Sequence, residues 1–374
     1  MQARILLSLL LLFNAAFAQT NAYLLIGTYT SGKSEGIYVY DFNSVDAENK
    51  LISTVMVSNP SYLAVSPDKK TVYSVSENAQ MANGAAGGGV SALSFNKDNG
   101  TLTLINQQSS EGKHPCYVAV DKTGKWVFVA NYSSGSAAMY AVKNDGGIEP
   151  AKKVIQDEGS GFNKQRQAGP HAHSTVLSPD NKYLFLQDLG LDKIMIYRFD
   201  EKNGTLMPAS KPFVKSVDGS GPRHIDFHPN NKNAYLVEEM TGTVVAFKYN
   251  DGNLQPIQRI SGLPKDFKGE IGSADIHVSP DGKFVYSSNR GGSNDITIFK
   301  VNTDGKLTVV GRQSTMGKTP RNFSFDPSGN YLLAANQESD DVVIFKVNKA
   351  TGILTDTGKR ISVPKPVCVK WISK

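Results

Sequence analysis

One pattern recurs six times along the chain and leaves few folds open. Residues 62–77 read YLAVSPDKKTVYSVSE, 117–132 YVAVDKTGKWVFVANY and 174–189 STVLSPDNKYLFLQDL. The series continues with HIDFHPNNKNAYLVEE (224–239), DIHVSPDGKFVYSSNR (275–290) and NFSFDPSGNYLLAANQ (322–337). Each is an alternating apolar strand, a turn rich in Pro, Asp, Asn and Gly, and a second strand, which is the signature of a hairpin. The turn positions Pro67, Lys122, Pro179, Pro229, Pro280 and Pro327 stand 55, 57, 50, 51 and 47 residues apart. A third apolar strand follows each hairpin, as in GVSALSFN (89–96) and DVVIFKVN (341–348), and a turn and a fourth strand come after it. Four antiparallel strands per roughly 50 residues describe a propeller blade.

The two ends complete the count. Residues 23–42, YLLIGTYTSGKSEGIYVYDF, match the second and third strands of a blade that lacks its first. The closing PVCVKWI (366–372) matches the missing strand. Sharing one blade between the termini closes the ring and removes an exposed strand edge. The expected fold is therefore all-β: a seven-bladed β-propeller of four-stranded antiparallel blades, ring closed by N- and C-terminal strands in one blade.

Ahead of the repeats stands MQARILLSLLLLFNAAFAQ, with Arg4 as a positive start, an apolar core from Ile5 to Phe13, and Ala16-Phe17-Ala18 as a small-x-small cleavage site. This reads as a secretory signal peptide over 1–18, too short to span a membrane. The expected organisation is thus a leader, 1–18, and a single propeller domain, 19–374, exported to the periplasm or beyond. With 40% hydrophobic residues the chain can bury a large core, and its two cysteines make no disulfide framework. The net charge of +6 is scattered rather than gathered into a stripe, which argues against a nucleic-acid partner. Membrane insertion is not expected, and the molecule reads as a monomer.

Repetition lets equivalent positions be compared within one chain. Six residues before each turn position, where the innermost strand begins, stand Ser61, Cys116, His173, Arg223, Ala274 and Arg321, with Val367 in the shared blade. Ten residues after it, where the second strand ends, stand Glu77, Tyr132, Leu189, Glu239, Arg290 and Gln337, with Tyr29 in the shared blade. A hairpin returns on itself, so both slots lie at one mouth of the central channel. The positions between them are apolar (Leu63, Val118, Ile225, Ile276, Phe323), as a packed blade demands. The rim slots instead gather three Arg, two Glu and one His, and charges facing a shared channel are costly unless paired or used.

A solvated rim, or Arg–Glu pairs stapling neighbouring blades, would account for them structurally. Convergence of Arg223, Arg290, Arg321, Glu239, Glu77 and His173 favours an anion-binding site. Guanidiniums grip phosphate or carboxylate bidentately, and a Glu or His beside them can serve as general base. The long loops 157–170 and 262–273 stand at the same end and can cover the site, with Lys164, Arg166, Lys265 and Lys268 as further anion contacts. His224, His228 and His277 fall where other blades carry ordinary residues and read as structural. Cys116 lies in the rim but lacks an evident activating partner. His171 and His173 have metal-like HxH spacing, yet no third ligand accompanies them, so no metal or other cofactor is expected. The glycine-rich MANGAAGGG (81–89) lacks the strand-to-helix context of a phosphate cradle and reads as a rim loop.

The stretches GPHAHSTVLSPD, GSGPRHIDFHPNNKNAYLVEEM, SADIHVSPDGKFVYSSNRG and TPRNFSFDPSGNYLLAANQ resemble the bacterial seven-bladed propeller lactonases of the 6-phosphogluconolactonase type (the cycloisomerase 2 family) and the related fungal carboxy-muconate cyclases. The resemblance covers essentially the whole chain beyond the leader. It implies a catalytic set of one His, two Arg and a Glu, matched here by His173, Arg223, Arg290 and Glu239. The usual Asn before that Glu is Glu238 here, and two adjacent carboxylates are expected to repel and raise one pKa. Arg321, Glu77, His171, Tyr132 and Gln337 complete the expected substrate contacts. The activity implied is hydrolysis of a sugar-acid lactone, with a small anionic lactone or sugar acid as partner. The alternatives are a carboxymuconate-type cyclisation and a non-enzymatic binding propeller.

Overall fold

The computed structural model describes residues 21–81 and 84–374, so the leader expected over 1–18 lies outside the described residues. Among the described residues, seven four-stranded antiparallel sheets are arranged as the blades of a propeller, each running in order from an inner to an outer strand. In blade 1 the C-terminal Pro366–Ser373 is the inner strand, and Asn21–Thr28, Gly36–Asn43 and Asn49–Met56 follow it outward. The inner and second strands of blades 2 to 4 are Leu63–Val65 and Thr71–Ser76, Pro115–Val120 and Trp126–Asn131, and Ala172–Leu177 and Tyr183–Asp188. Those of blades 5 to 7 are Pro222–Phe227 and Asn233–Glu238, Ser273–Val278 and Phe284–Asn289, and Pro320–Phe325 and Tyr331–Asn336. Among the described residues no helix is long and apolar enough to cross a membrane.

The hydrophobic pattern explains the sheets. The second strands are buried on both faces, as in TVYSVS and YLLAAN, because each faces a neighbouring blade on both sides. The fourth strands, such as Leu307–Ser314, alternate buried and exposed at the periphery. Blades meet through apolar clusters; Phe185 and Ile196 of blade 4 pack with Ile225, Leu236 and Phe247 of blade 5. The SPD turns are held by the residue before the turn position. Ser66, Ser178 and Ser279 accept the amides of Thr71, Tyr183 and Phe284 at 2.9–3.0 Å, and Asp121 and Asp326 do the same for Trp126 and Tyr331.

The opposite end of each hairpin is built differently. In six of the seven blades the inner strand slips register where it begins, leaving Val367, Cys116, His173, Arg223, the Ala274–Asp275 pair or Arg321 bulged out of the ladder. Two residues earlier, Asn59, His114, Gly221, Thr319 and Lys365 adopt left-handed φ between 43° and 69°. In all seven blades the carbonyl at that earlier position accepts the amide of the residue that ends the second strand, as Gly221 does from Glu239 (2.8 Å) and Gly272 from Arg290 (3.1 Å). A bulge turns a side chain out of the pleat. The two rim slots are therefore one repeated device that aims its side chains into the mouth.

Candidate active site

Glu239 is the centre of the mouth. Its Oε2 accepts from Arg223 Nε at 3.0 Å and from Arg290 Nη2 at 3.0 Å, while its Oε1 accepts from Arg166 Nη2 at 2.6 Å. Burial alone would raise this carboxyl, but the three guanidiniums, Arg290 and Arg223 foremost, outweigh it and hold the pKa near 2. Arg223 is buried to 1% exposure and fixed further by the Ala274 carbonyl and by His224 Nε2 at 3.3 Å. Arg290 is oriented by its Nε bond to the Gly272 carbonyl (2.9 Å), which is what the loop 262–273 contributes. Lys265 and Lys268 of that loop stand exposed, and Lys164 donates to the Gly161 carbonyl in its own loop.

Arg321 and Glu77 face each other across the shared blade, with Arg321 Nη2 3.9 Å from Glu77 Oε2. Tyr29 lies between them: its hydroxyl donates to Glu77 at 2.9 Å, and the Arg321 guanidinium sits 5.4 Å over its ring. Four guanidiniums thus meet two carboxylates, an excess of two positive charges in one mouth.

His173 lies on the other wall, edge-on to Tyr132 and to His224, with Nδ1 3.9 Å from Cys116 Sγ. Burial first, then the charges of Arg223, His224, Arg321 and Arg290, keep its imidazole well below the ordinary histidine value and neutral. Burial pushes the Cys116 thiol up, so it is no nucleophile at neutral pH. Tyr132 stacks on His171, ring centroids 4.6 Å apart and 14° from parallel, and His171 Nδ1 lies 3.1 Å from the Tyr132 carbonyl. His171 therefore buttresses the wall from outside.

The structure brings His173, Glu239, Arg290, Arg223, Arg321, Glu77, Tyr132 and His171 to one mouth. Gln337 does not join them; its amide donates to Glu338 at 2.9 Å. The expected repulsion between Glu238 and Glu239 is absent. Successive strand residues point to opposite faces, and Glu238 is paired bidentately with Arg259 at 2.8 and 2.5 Å. Two histidines read as structural share one buried carboxylate. Asp275, buried to 1%, accepts from His224 Nδ1 at 2.7 Å and His277 Nε2 at 3.0 Å. The sequence signal was present: where blades 2 and 3 carry tyrosine and alanine, blades 5 and 6 carry His224 with Asp226 and Asp275 with His277. Among the described residues no group of three or more His, Cys, Asp or Glu has the geometry to hold a metal ion.

Comparison with known proteins places this arrangement. A 6-phosphogluconolactonase of Bacillus subtilis is 38% identical over 354 residues, 93% of this chain and 97% of its own. A crystal structure from Bacteroides fragilis superposes with a TM-score of 0.89 at 43% identity, covering 94% of this chain and 98% of that one. The periplasmic gluconolactonase of Pseudomonas aeruginosa superposes equally well, TM-score 0.89 at 36% identity, over 94% and 99% of the two chains. The family model for seven-bladed β-propeller lactonases matches residues 23–371, nearly the whole described chain, and the protein belongs to that lactonase family.

Proposed function

We propose that the protein hydrolyses a sugar-acid lactone in this mouth, with a phosphorylated aldonolactone of the 6-phosphogluconolactone kind as substrate. The observation that carries the reading is the convergence of three guanidiniums on one buried carboxylate, with Arg321 paired to Glu77 beside them, within a family whose named relatives are lactonases. Arg290, Arg223 and Arg321 bind the anionic group and polarise the lactone carbonyl, supplying fixed positive charge to the oxyanion without a metal or other cofactor. Glu239 takes a proton from water, and the hydroxide adds to the carbonyl carbon. The ring C–O bond then breaks, and the proton passes to the ring oxygen, which leaves as an alcohol. The acid formed gives its own proton to solvent. Neutral His173, with Tyr132 and His171 behind it, aligns the sugar by hydrogen bonding, while Glu77 holds Arg321 in place.

Cations disfavour protonation of both candidates, and Glu239 is chosen as the base on geometry: Arg223 and Arg290 aim its carboxylate through one oxygen, and the other carries only the half-exposed Arg166. The leader at 1–18 and the periplasmic relative of P. aeruginosa support an exported protein. The cyclisation of a carboxymuconate draws on the same arginines and is an outcome of the test. Purified protein is offered phosphorylated and plain aldonolactones and carboxymuconate, with and without EDTA, and proton release by hydrolysis or uptake by cyclisation is followed. Opening of a lactone, unaffected by EDTA, is expected. Turnover of carboxymuconate alone, or of nothing, refutes the hydrolase.

A further inference from the structure

We infer that Arg166 is a substrate-operated mask on Glu239: the anionic group of the substrate draws the guanidinium away, and the carboxylate oxygen it covered becomes the base. The inference rests on the lactonase reading above and concerns how that site discriminates.

The partition of contacts is the first observation. Oε2 of Glu239 is anchored by Arg223 and Arg290, whereas Oε1 meets Arg166. Removing Arg166 exposes one oxygen and leaves the carboxylate aimed. The three guanidiniums also differ in reach. The side chain of Arg166 is 47% exposed, against 2% for Arg223 and 17% for Arg290. Arg166 is therefore the one an incoming anion meets first.

Its backbone is fixed, while its side chain is half-exposed and tied only at its tip. Asn163 Oδ1 accepts the amides of Gln165 and Arg166 at 3.1 Å. The next residue, Gln167, is fully buried and donates to the Leu189 carbonyl and to Asp192, both at 2.8 Å. A swing of the side chain is enough, and no loop closure is needed. The Tyr132 side chain, stacked on His171, also interacts with Arg166 electrostatically. Arg166 thus spans the mouth from Tyr132 to Glu239.

Charge gives the direction of the switch. With three guanidiniums around it Glu239 is a weak base, and base strength matters to the rate. The excess of two positive charges suits a dianion, and a phosphate on Arg166 relieves Glu239 of one cation. An anionic substrate accordingly raises kcat as well as affinity, while an uncharged lactone binds to a masked base. A loop staple with no part in turnover predicts neither effect.

The test uses the full chain, a plain aldonolactone, and millimolar inorganic phosphate added in trans. In the wild type phosphate raises kcat for the plain lactone by about tenfold, a fraction of the roughly 10²–10⁴-fold that a full general-base contribution supplies. In Arg166→Gln that stimulation vanishes, the unstimulated kcat exceeds that of the wild type, and kcat for the phosphorylated lactone stays near the wild-type value while its KM rises. Arg166→Lys, which keeps the charge, retains part of the stimulation. Phosphate acting on the wild type as an inhibitor or not at all overturns the mask, as does an equal loss of both substrates in Arg166→Gln. If the wild type opens neither lactone, the lactonase reading itself fails and the mask falls with it.

Discussion

Asp275 holds one negative charge between two histidines, and their surroundings divide it unequally. His224 is buried beside Arg223, and burial and that guanidinium hold its pKa down near 4, so it stays neutral and donates through Nδ1. Burial would also lower His277, but the carboxylates of Asp275 and Asp226 lift it to about 9. The ion pair Asp275–His277 therefore persists at neutral pH beneath the arginine mouth. A histidine raised above its unfolded value of 6.5 contributes stability that is complete below that pH and lost as pH rises through 9. The expected slope in that window is at most about 1.4 kcal/mol per pH unit. Urea unfolding of wild type and His277→Gln on either side of the window checks it. The wild type should lose more stability than the variant on going alkaline, and parallel losses would refute the assignment.

At the scale of single elements, the mouth depends on loops pinned by buried groups. Asp192, 1% exposed, accepts from Gln167 of the loop 157–170 and from the amides of Gly219 and Gly221 at 2.7–2.8 Å. It thereby fixes the approach to Arg223 and the base of Arg166 together. Asn at this position keeps the left-handed φ of 54° accessible but presents donors to donors. Asp192→Asn should lower stability by about 1–3 kcal/mol and raise KM for an anionic lactone. An unchanged urea midpoint would show that the node is not needed. The blades and the rim pair Arg223 and Glu239 were legible in the sequence because seven repeats supply seven internal comparisons. Arg166 was legible only as one of four loop cations, since a loop present once offers nothing to compare. The Asp275 network stayed hidden for another reason: the bulge shifts which residues face the channel, so Tyr62, Tyr117 and His224 meet ring to ring across it.

At the scale of the whole molecule, ring closure turns seven weakly informative positions into one site. Glu77 comes from blade 2, Tyr132 from blade 3, His173 from blade 4, Arg223 and Glu239 from blade 5, Arg290 from blade 6 and Arg321 from blade 7. The terminal strands of blade 1, paired from Ala22↔Ser373 to Thr28↔Pro366, place Tyr29 between Arg321 and Glu77. The arginines repel one another, and burial with Arg290 and Arg321 lowers the Arg223 pKa to about 10. Such an assembly is costly as architecture, and the proposed anionic substrate would compensate it. The decisive measurement is kcat/KM for a phosphorylated aldonolactone in Arg290→Ala, a variant that leaves Glu239 paired with Arg166 and Arg223. The predicted result is a loss of about 10²–10³-fold with the thermal midpoint retained, the effect of removing one preorganised oxyanion donor. A kcat/KM within about twofold of wild type would contradict the assignment of lactone opening to this mouth.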